Sequence, residues 1–209
     1  MGSCTSTKRN TISVPVHTTS LSYPSLSITK QPDIDARLLQ RSWPILVHSG
    51  EADYLYEFGI DIYDQIFTIG PDIARFFPSI AKMMAPSETN DRCLINLHEI
   101  HEFRNQALRL VNLYALCLRY CHDLDQLIDT LRNLGHRHRM YLGGALKRTH
   151  FSLVKECTIR VITNRLEKHT KLGTNKYDQA TITDMLETWN NLLDFIVDQI
   201  MIGYKEMDQ

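Results

Sequence analysis

The sequence predicts an all-α body of seven or so helices behind an unstructured amino-terminal tail. Apolar residues from Leu38 to Ile200 recur at three- and four-residue spacing, the period of an amphipathic helix. No stretch alternates apolar and polar residues as a half-buried strand would. Residues 1–32 hold thirteen Ser or Thr, three prolines and no Asp or Glu, which marks them as a disordered tail. The expected division is therefore a tail over 1–32 and a folded domain over 33–209.

Each helix has its own signal. Asp33 or Asp35 can cap a first helix through Leu38, Leu39 and Trp43, with Pro44 expected to kink it. A second runs through Tyr56, Ile60, Tyr63 and Phe67 and ends near Gly70-Pro71. Pro71-Asp72 then starts a short turn leading to Phe76-Phe77-Pro78, and a loop containing Pro86, Ser87, Asn90 and Asp91 follows. Phe103, Ala107, Leu110, Leu113, Tyr114 and Cys117 form one face of the next helix. Leu124, Leu127, Ile128, Leu131 and Leu134 form the face of another, closed by His138. The last two span about 149–168 and 181–205, the final one striped by Ile182, Leu186, Trp189, Leu193, Ile196 and Ile200.

Composition narrows the function. The 209 residues are 43% hydrophobic, enough for a core, and a net charge of −1 argues against a nucleic-acid partner. No apolar run reaches the roughly 18 residues of a membrane span. Five cysteines without a CxxC pair signal neither a zinc site nor a disulfide framework, and fit a reducing, cytosolic setting. No nucleophile–base arrangement suggests an enzyme.

Two polar residues sit on otherwise apolar faces. His138 lies four residues past Leu134 and seven past Leu131, on the stripe, whereas His136 is turned away from it. An imidazole in apolar surroundings is either a satisfied core histidine or a ligand, and a haem iron is one partner that suits it. Gln106 occupies the face of the preceding helix, where its amide needs partners.

The ordered motifs together resemble the globins, most of all the nerve and invertebrate (nematode-like) branches. Leu39-Gln40-Arg41-Ser42-Trp43 is similar to their first-helix signature, and Pro71-Asp72-(x)4-Phe77 to the corner whose phenylalanine stacks on the haem. Glu102-Phe103-(x)2-Gln106 resembles the distal helix and Leu134-Gly135-(x)2-His138 the proximal motif, with a matching separation of thirty-two residues. His150-Phe151-(x)2-Val154 and Trp189 with Gly203-Tyr204 resemble the last two helices, so the likeness covers roughly 34–206.

The resemblance implies a globin fold of about seven to eight helices around a pocket for haem b. His138 becomes the proximal iron ligand through Nε2, its other nitrogen donating to a backbone carbonyl near Leu134. Phe77 becomes the aromatic wedge on the macrocycle, Leu110 the apolar gatekeeper, and Phe151 a further haem contact. Arg109 either pairs with a propionate or is a solvated arginine. Tyr63, eight residues before Pro71, either faces a bound gas or packs as a core tyrosine. Gln106 stands where many family members have histidine, and a carboxamide is a poor iron ligand but a good donor. Tyr63 and Gln106 would then leave the sixth position open for O₂ or another diatomic gas. His98 or His101 would become an internal sixth ligand if the distal helix shifted. The segment between His138 and Phe151 is about three residues longer than in nerve globins and contains Gly143-Gly144.

Met1-Gly2-Ser3-Cys4-Thr5-Ser6 is a second signal. It fits the pattern for myristoylation of Gly2, with Cys4 placed for palmitoylation and Lys8-Arg9 adding charge. Two acyl chains hold a protein at a bilayer where one does so only marginally, and a flexible tail of this length reaches roughly 30 Å. The expected location is the cytoplasmic face of the cell membrane through membrane lipid, or otherwise the cytoplasm. The expected function is a tethered haem globin that senses O₂ or redox state, or passes single electrons to a redox or signalling partner. The alternatives are an O₂-storage globin whose anchor only sets its location, and a haem-free lipidated adaptor. Redox chemistry would belong to the haem.

Overall fold

The computed structural model describes residues 33–47, 54–84, 101–171 and 177–206, all within one unit, Pro32–Gln209. The tail, with Gly2 and Cys4, and the 85–100 segment, with His98, lie outside the described residues. Eight helical elements occur among those described. They are α1 (Ala36–Val47), α2 (Tyr54–Ile69), a 3₁₀ turn (Pro71–Phe76), α3 (Pro78–Met84), α4 (His101–Tyr120), α5 (Leu124–Leu142), α6 (Arg148–Lys171) and α7 (Gln179–Glu206).

Local chemistry explains the boundaries. Asp35 caps α1, its carboxylate accepting from the Arg37 and Leu38 amides at 2.8 and 3.4 Å. Pro44 removes one donor from α1, yet the helix continues to Val47 because Leu46 and Val47 are buried against the core. Arg165 of α6 donates to the Leu46 carbonyl at that helix end and pairs with Asp61 of α2 at 2.5 Å, tying three helices together. Pro71 opens the 3₁₀ turn with no amide to lose. Asp123 caps α5, accepting from the Gln126 amide at 3.5 Å. Gly143 and Gly144 end it with φ of 55° and 79°, angles that side chains disfavour.

The core centres on Trp189 of α7, which is fully buried. Its indole donates to Ser42 Oγ at 2.8 Å, while its ring stacks on Trp43 and meets Tyr114 edge-on. Tyr114 in turn shares a 2.8 Å hydrogen bond with Thr158 of α6, so the polar groups buried here are paired. Each fully buried Leu, Ile or Phe around them contributes about 1.5–3 kcal/mol. Of the expected α7 stripe, all but the half-buried Leu186 are buried.

Two helix pairs form the main contacts. Gly59 of α2 lies against the Ala107 backbone of α4. Gly135 of α5 lies against the Ile200 carbonyl of α7, and Gly203 of α7 lies in turn against the Arg132 backbone of α5. A Cβ at any of the three would collide with main chain. By contrast α4 and α5, although consecutive, touch little. α4 packs chiefly on α2 and α5 on α7.

Candidate functional site

His138 stands one turn before the end of α5, since the helix runs on to Leu142 rather than closing at the histidine. Part of the lengthened segment before Phe151 is therefore helix. The ring Nδ1 lies 2.8 Å from the Leu134 carbonyl, one turn back. A carbonyl can only accept, so Nδ1 carries the proton and a neutral ring keeps its lone pair on Nε2. Among the described residues no side chain or backbone group engages Nε2. Burial lowers the imidazole pKa; the Leu134 hydrogen bond opposes this and the Arg137 charge adds to it. A ring that stays neutral and exposes one basic nitrogen is the form that binds a metal. Phe151 of α6 meets it edge-on, with centroids 5.8 Å apart. His136 is also partly buried, so exposure alone does not separate the two histidines.

A second group of residues gathers on α2, the 3₁₀ corner and α4. Tyr63 packs on Phe67, Phe77 and Phe103 with centroids 5.9, 5.7 and 5.3 Å away. Burial pushes its phenol up to about 12, against the lowering effect of the Arg109 guanidinium, so the hydroxyl remains a proton donor at neutral pH. Tyr63 is thus packed among core aromatics. Gln106 and Leu110, one turn apart on α4, are both half-buried, and Arg109 is exposed. The fully buried line of α4 is Phe103, Ala107, Val111, Tyr114, Cys117 and Leu118. Leu110 and Leu113, expected in its middle, lie along its less covered edge with Gln106. His101 is exposed at the start of α4, its Nδ1 3.3 Å from the Asn105 amide.

The two groups are joined along the corner. Phe76, next to Phe77, meets His150 edge-on at 5.4 Å, and His150 precedes the Phe151 that touches His138. Among the described residues no hydrogen bond or ring contact joins His138 to Gln106, Tyr63 or Leu110, and α4 and α5 touch little. Tyr204 of α7 completes the α5 side. It packs on Phe151 at 6.1 Å, lies beneath Arg139, and its hydroxyl accepts from the Leu146 amide at 3.1 Å. Sequence reasoning noted Gly203-Tyr204 and Leu134-Gly135 but not their roles. A glycine inside an amphipathic helix is a signal of close backbone approach, though it does not name the neighbour.

No protein-family model matches the chain, and no curated protein matches it in sequence. Among solved structures, a hexacoordinated haem protein from an anhydrobiotic tardigrade, crystallised at pH 4, superposes with a TM-score of 0.59. The alignment covers 83% of this chain and 96% of that one, at 18% identity. The fold is globin-like. Identity this low speaks to architecture alone. The eight helical elements agree with the expected all-α class. Among the described residues no helix is long and apolar enough to cross a membrane, and no three His, Cys, Asp or Glu side chains gather as a metal cluster.

Proposed function

We propose that this chain binds haem b between α4 and α5, with His138 as the residue that would hold its iron. The observation that carries the reading is the state of the His138 ring: Nδ1 is committed to the Leu134 carbonyl and Nε2 is left basic and unengaged. One histidine without a surrounding ligand cluster suits a metal whose other positions are already filled, as porphyrin fills them. The likeness to a haem protein of similar fold supports this, as does the small contact between α4 and α5.

Bound haem would supply a redox-active iron able to take an imidazole and a diatomic gas. The protein's part is positional. Leu134 fixes the tautomer of His138, and the Phe151 edge restrains its ring. Phe77 offers an aromatic surface, braced by Tyr63 and Phe67. Leu110 narrows the approach from α4. Tyr63 and Gln106 supply O–H and N–H donors to a gas ligand, and Arg109 a cation for a propionate. Acylated Gly2 and Cys4 hold this domain at a membrane. Such tethering removes the advantage of diffusive O₂ carriage and favours gas or redox sensing, or one-electron transfer, over storage. The hexacoordinate state of the tardigrade protein supports a second reading, in which an internal side chain occupies the sixth position.

Absorption spectra of purified ferric, ferrous and CO-treated protein test both readings. Stoichiometric haem is expected. His138→Ala should lose the haem or its histidine-ligand spectrum, and His136→Ala should keep both. The opposite pattern overturns the assignment, and a six-coordinate ferrous spectrum without added ligand selects the second reading.

A further inference from the structure

The end of α5, past His138, carries a second arrangement. Met140 and Tyr141, in its last turn, are 66% and 81% exposed, the two most exposed of the large hydrophobics described. They sit in the middle of a long acid-free stretch. From residue 130 to 155 the sequence holds Arg132, Arg137, Arg139, Lys147, Arg148 and Lys155 and neither Asp nor Glu, in a chain whose net charge is −1. The fold concentrates this charge, because Gly143 and Gly144 turn the chain so that α6 starts close after α5 ends.

Acids from other elements cancel part of it. Asp198 of α7 pairs with Arg148 and Asp194 with Lys155, each at 2.5 Å, and Asp72 lies 3.9 Å from His150. Three cations, Arg132, Arg137 and Lys147, remain without an acidic partner in the ion pairs of the described residues. Arg132 is bonded to the neutral Gln199 amide and Arg139 lies over the Tyr204 ring. Arg137 and Lys147 are exposed, with no acid bonded to either side chain. The patch is therefore a pair of protruding apolar side chains, one of them an amphipathic phenol, set among fixed positive charges.

We propose that this α5–α6 corner docks on an anionic lipid surface, with Met140 and Tyr141 entering the interfacial layer and Arg137, Lys147 and Arg132 facing acidic headgroups. Tyrosine favours the membrane–water boundary, where its ring is dry and its hydroxyl wet. Basic side chains beside such an anchor are attracted by the leaflet's negative potential. Two protruding side chains fall far short of the roughly 800 Å² per partner that a stable protein interface buries, whereas a bilayer needs no complementary pocket. The inference extends the tethering reading from the tail to the folded domain, yet it does not require the acyl chains, so each can fail without the other.

The test uses the full-length haem-loaded chain made without acylation, sedimented with phosphatidylcholine vesicles that contain or lack phosphatidylserine. Binding is expected only to the anionic vesicles, weakening with salt. Arg137→Gln with Lys147→Gln should lower the partition coefficient on the order of tenfold or more, at about fivefold per cation. Met140→Ser with Tyr141→Ser should lower it severalfold while leaving the helical circular dichroism unchanged. The proposal is overturned if wild type does not bind anionic vesicles or binds both kinds equally. It is likewise overturned if the variants bind as wild type does, which would assign the attraction to Lys8, Arg9 and Lys30 of the tail. An acidic protein captured by this corner in the absence of vesicle binding would also sink it.

Discussion

Gly59→Ala should destabilise the fold, although alanine is the better helix former. A Cβ at Gly59 would stand 2.6 Å from the Ala107 carbonyl oxygen, 2.8 Å from its carbon and 2.9 Å from its Cα. Carbon atoms pack best about 3.5–4.0 Å apart, so α2 and α4 would have to separate by on the order of half an ångström or more. The obstacle is main chain, which cannot rotate out of the way as a side chain would. Overpacking of this kind costs about 1–3 kcal/mol. Alanine's advantage in a helix interior returns about 0.8–1 kcal/mol, and the net loss should be about 1 kcal/mol. For a domain of this size that is a fall in Tm of about 2–4 °C. Thermal unfolding followed by circular dichroism reads it directly. The sign is diagnostic: without the close crossing, propensity alone would raise Tm. A stabilised Gly59→Ala protein would therefore show that α4, and with it Gln106, does not lie where described.

Two further outcomes follow from His138 and Gly2. In the haem-free chain the folded-state pKa of His138 is depressed by burial, so as pH falls through the unfolded value of about 6.5 the unfolded state takes up the proton first. Stability should accordingly fall on acidification below that point, by no more than about 1.4 kcal/mol per pH unit for one proton, and urea titrations of His138→Gln should show a shallower slope; an unchanged slope would place the ring in solvent. Gly2→Ala should move the protein from the membrane to the soluble fraction of cells, and equal soluble fractions for variant and wild type would end the acyl-anchor reading.

What was legible in the sequence was periodic. The α7 stripe, the α2 face and the register of α5 all follow from 3.6-residue spacing, and that register put His138 one turn past Leu134, whose carbonyl it meets. The corner at Pro71 was legible for a different reason, because proline and glycine act locally. The less legible features depend on neighbours. Leu110 fits the apolar stripe of α4 as well as Val111 does, yet only Val111 is covered, because α2 packs on one side of α4 and α5 stays away from the other. Pro44 lies inside α1, and the buried Leu46 and Val47 follow it in the same helix. Tyr63 could be assigned to the core or to a gas pocket from its position alone. Its ring sits with the core phenylalanines.

The glycine crossing of α5 and α7 bears on how His138 can move. Where two helices meet through side chains, rotamers absorb a displacement. Gly135 and Gly203 bring backbone against backbone instead, with no compressible layer between. A push on His138 along or across α5 therefore has no cushion at that point and must be shared by α7. The receiving stretch, Ile200 to Tyr204, ends in the phenol that holds the Leu146 amide. Two absent side chains thus make the crossing a rigid coupling, through which a shift at the imidazole reaches the opening of α6.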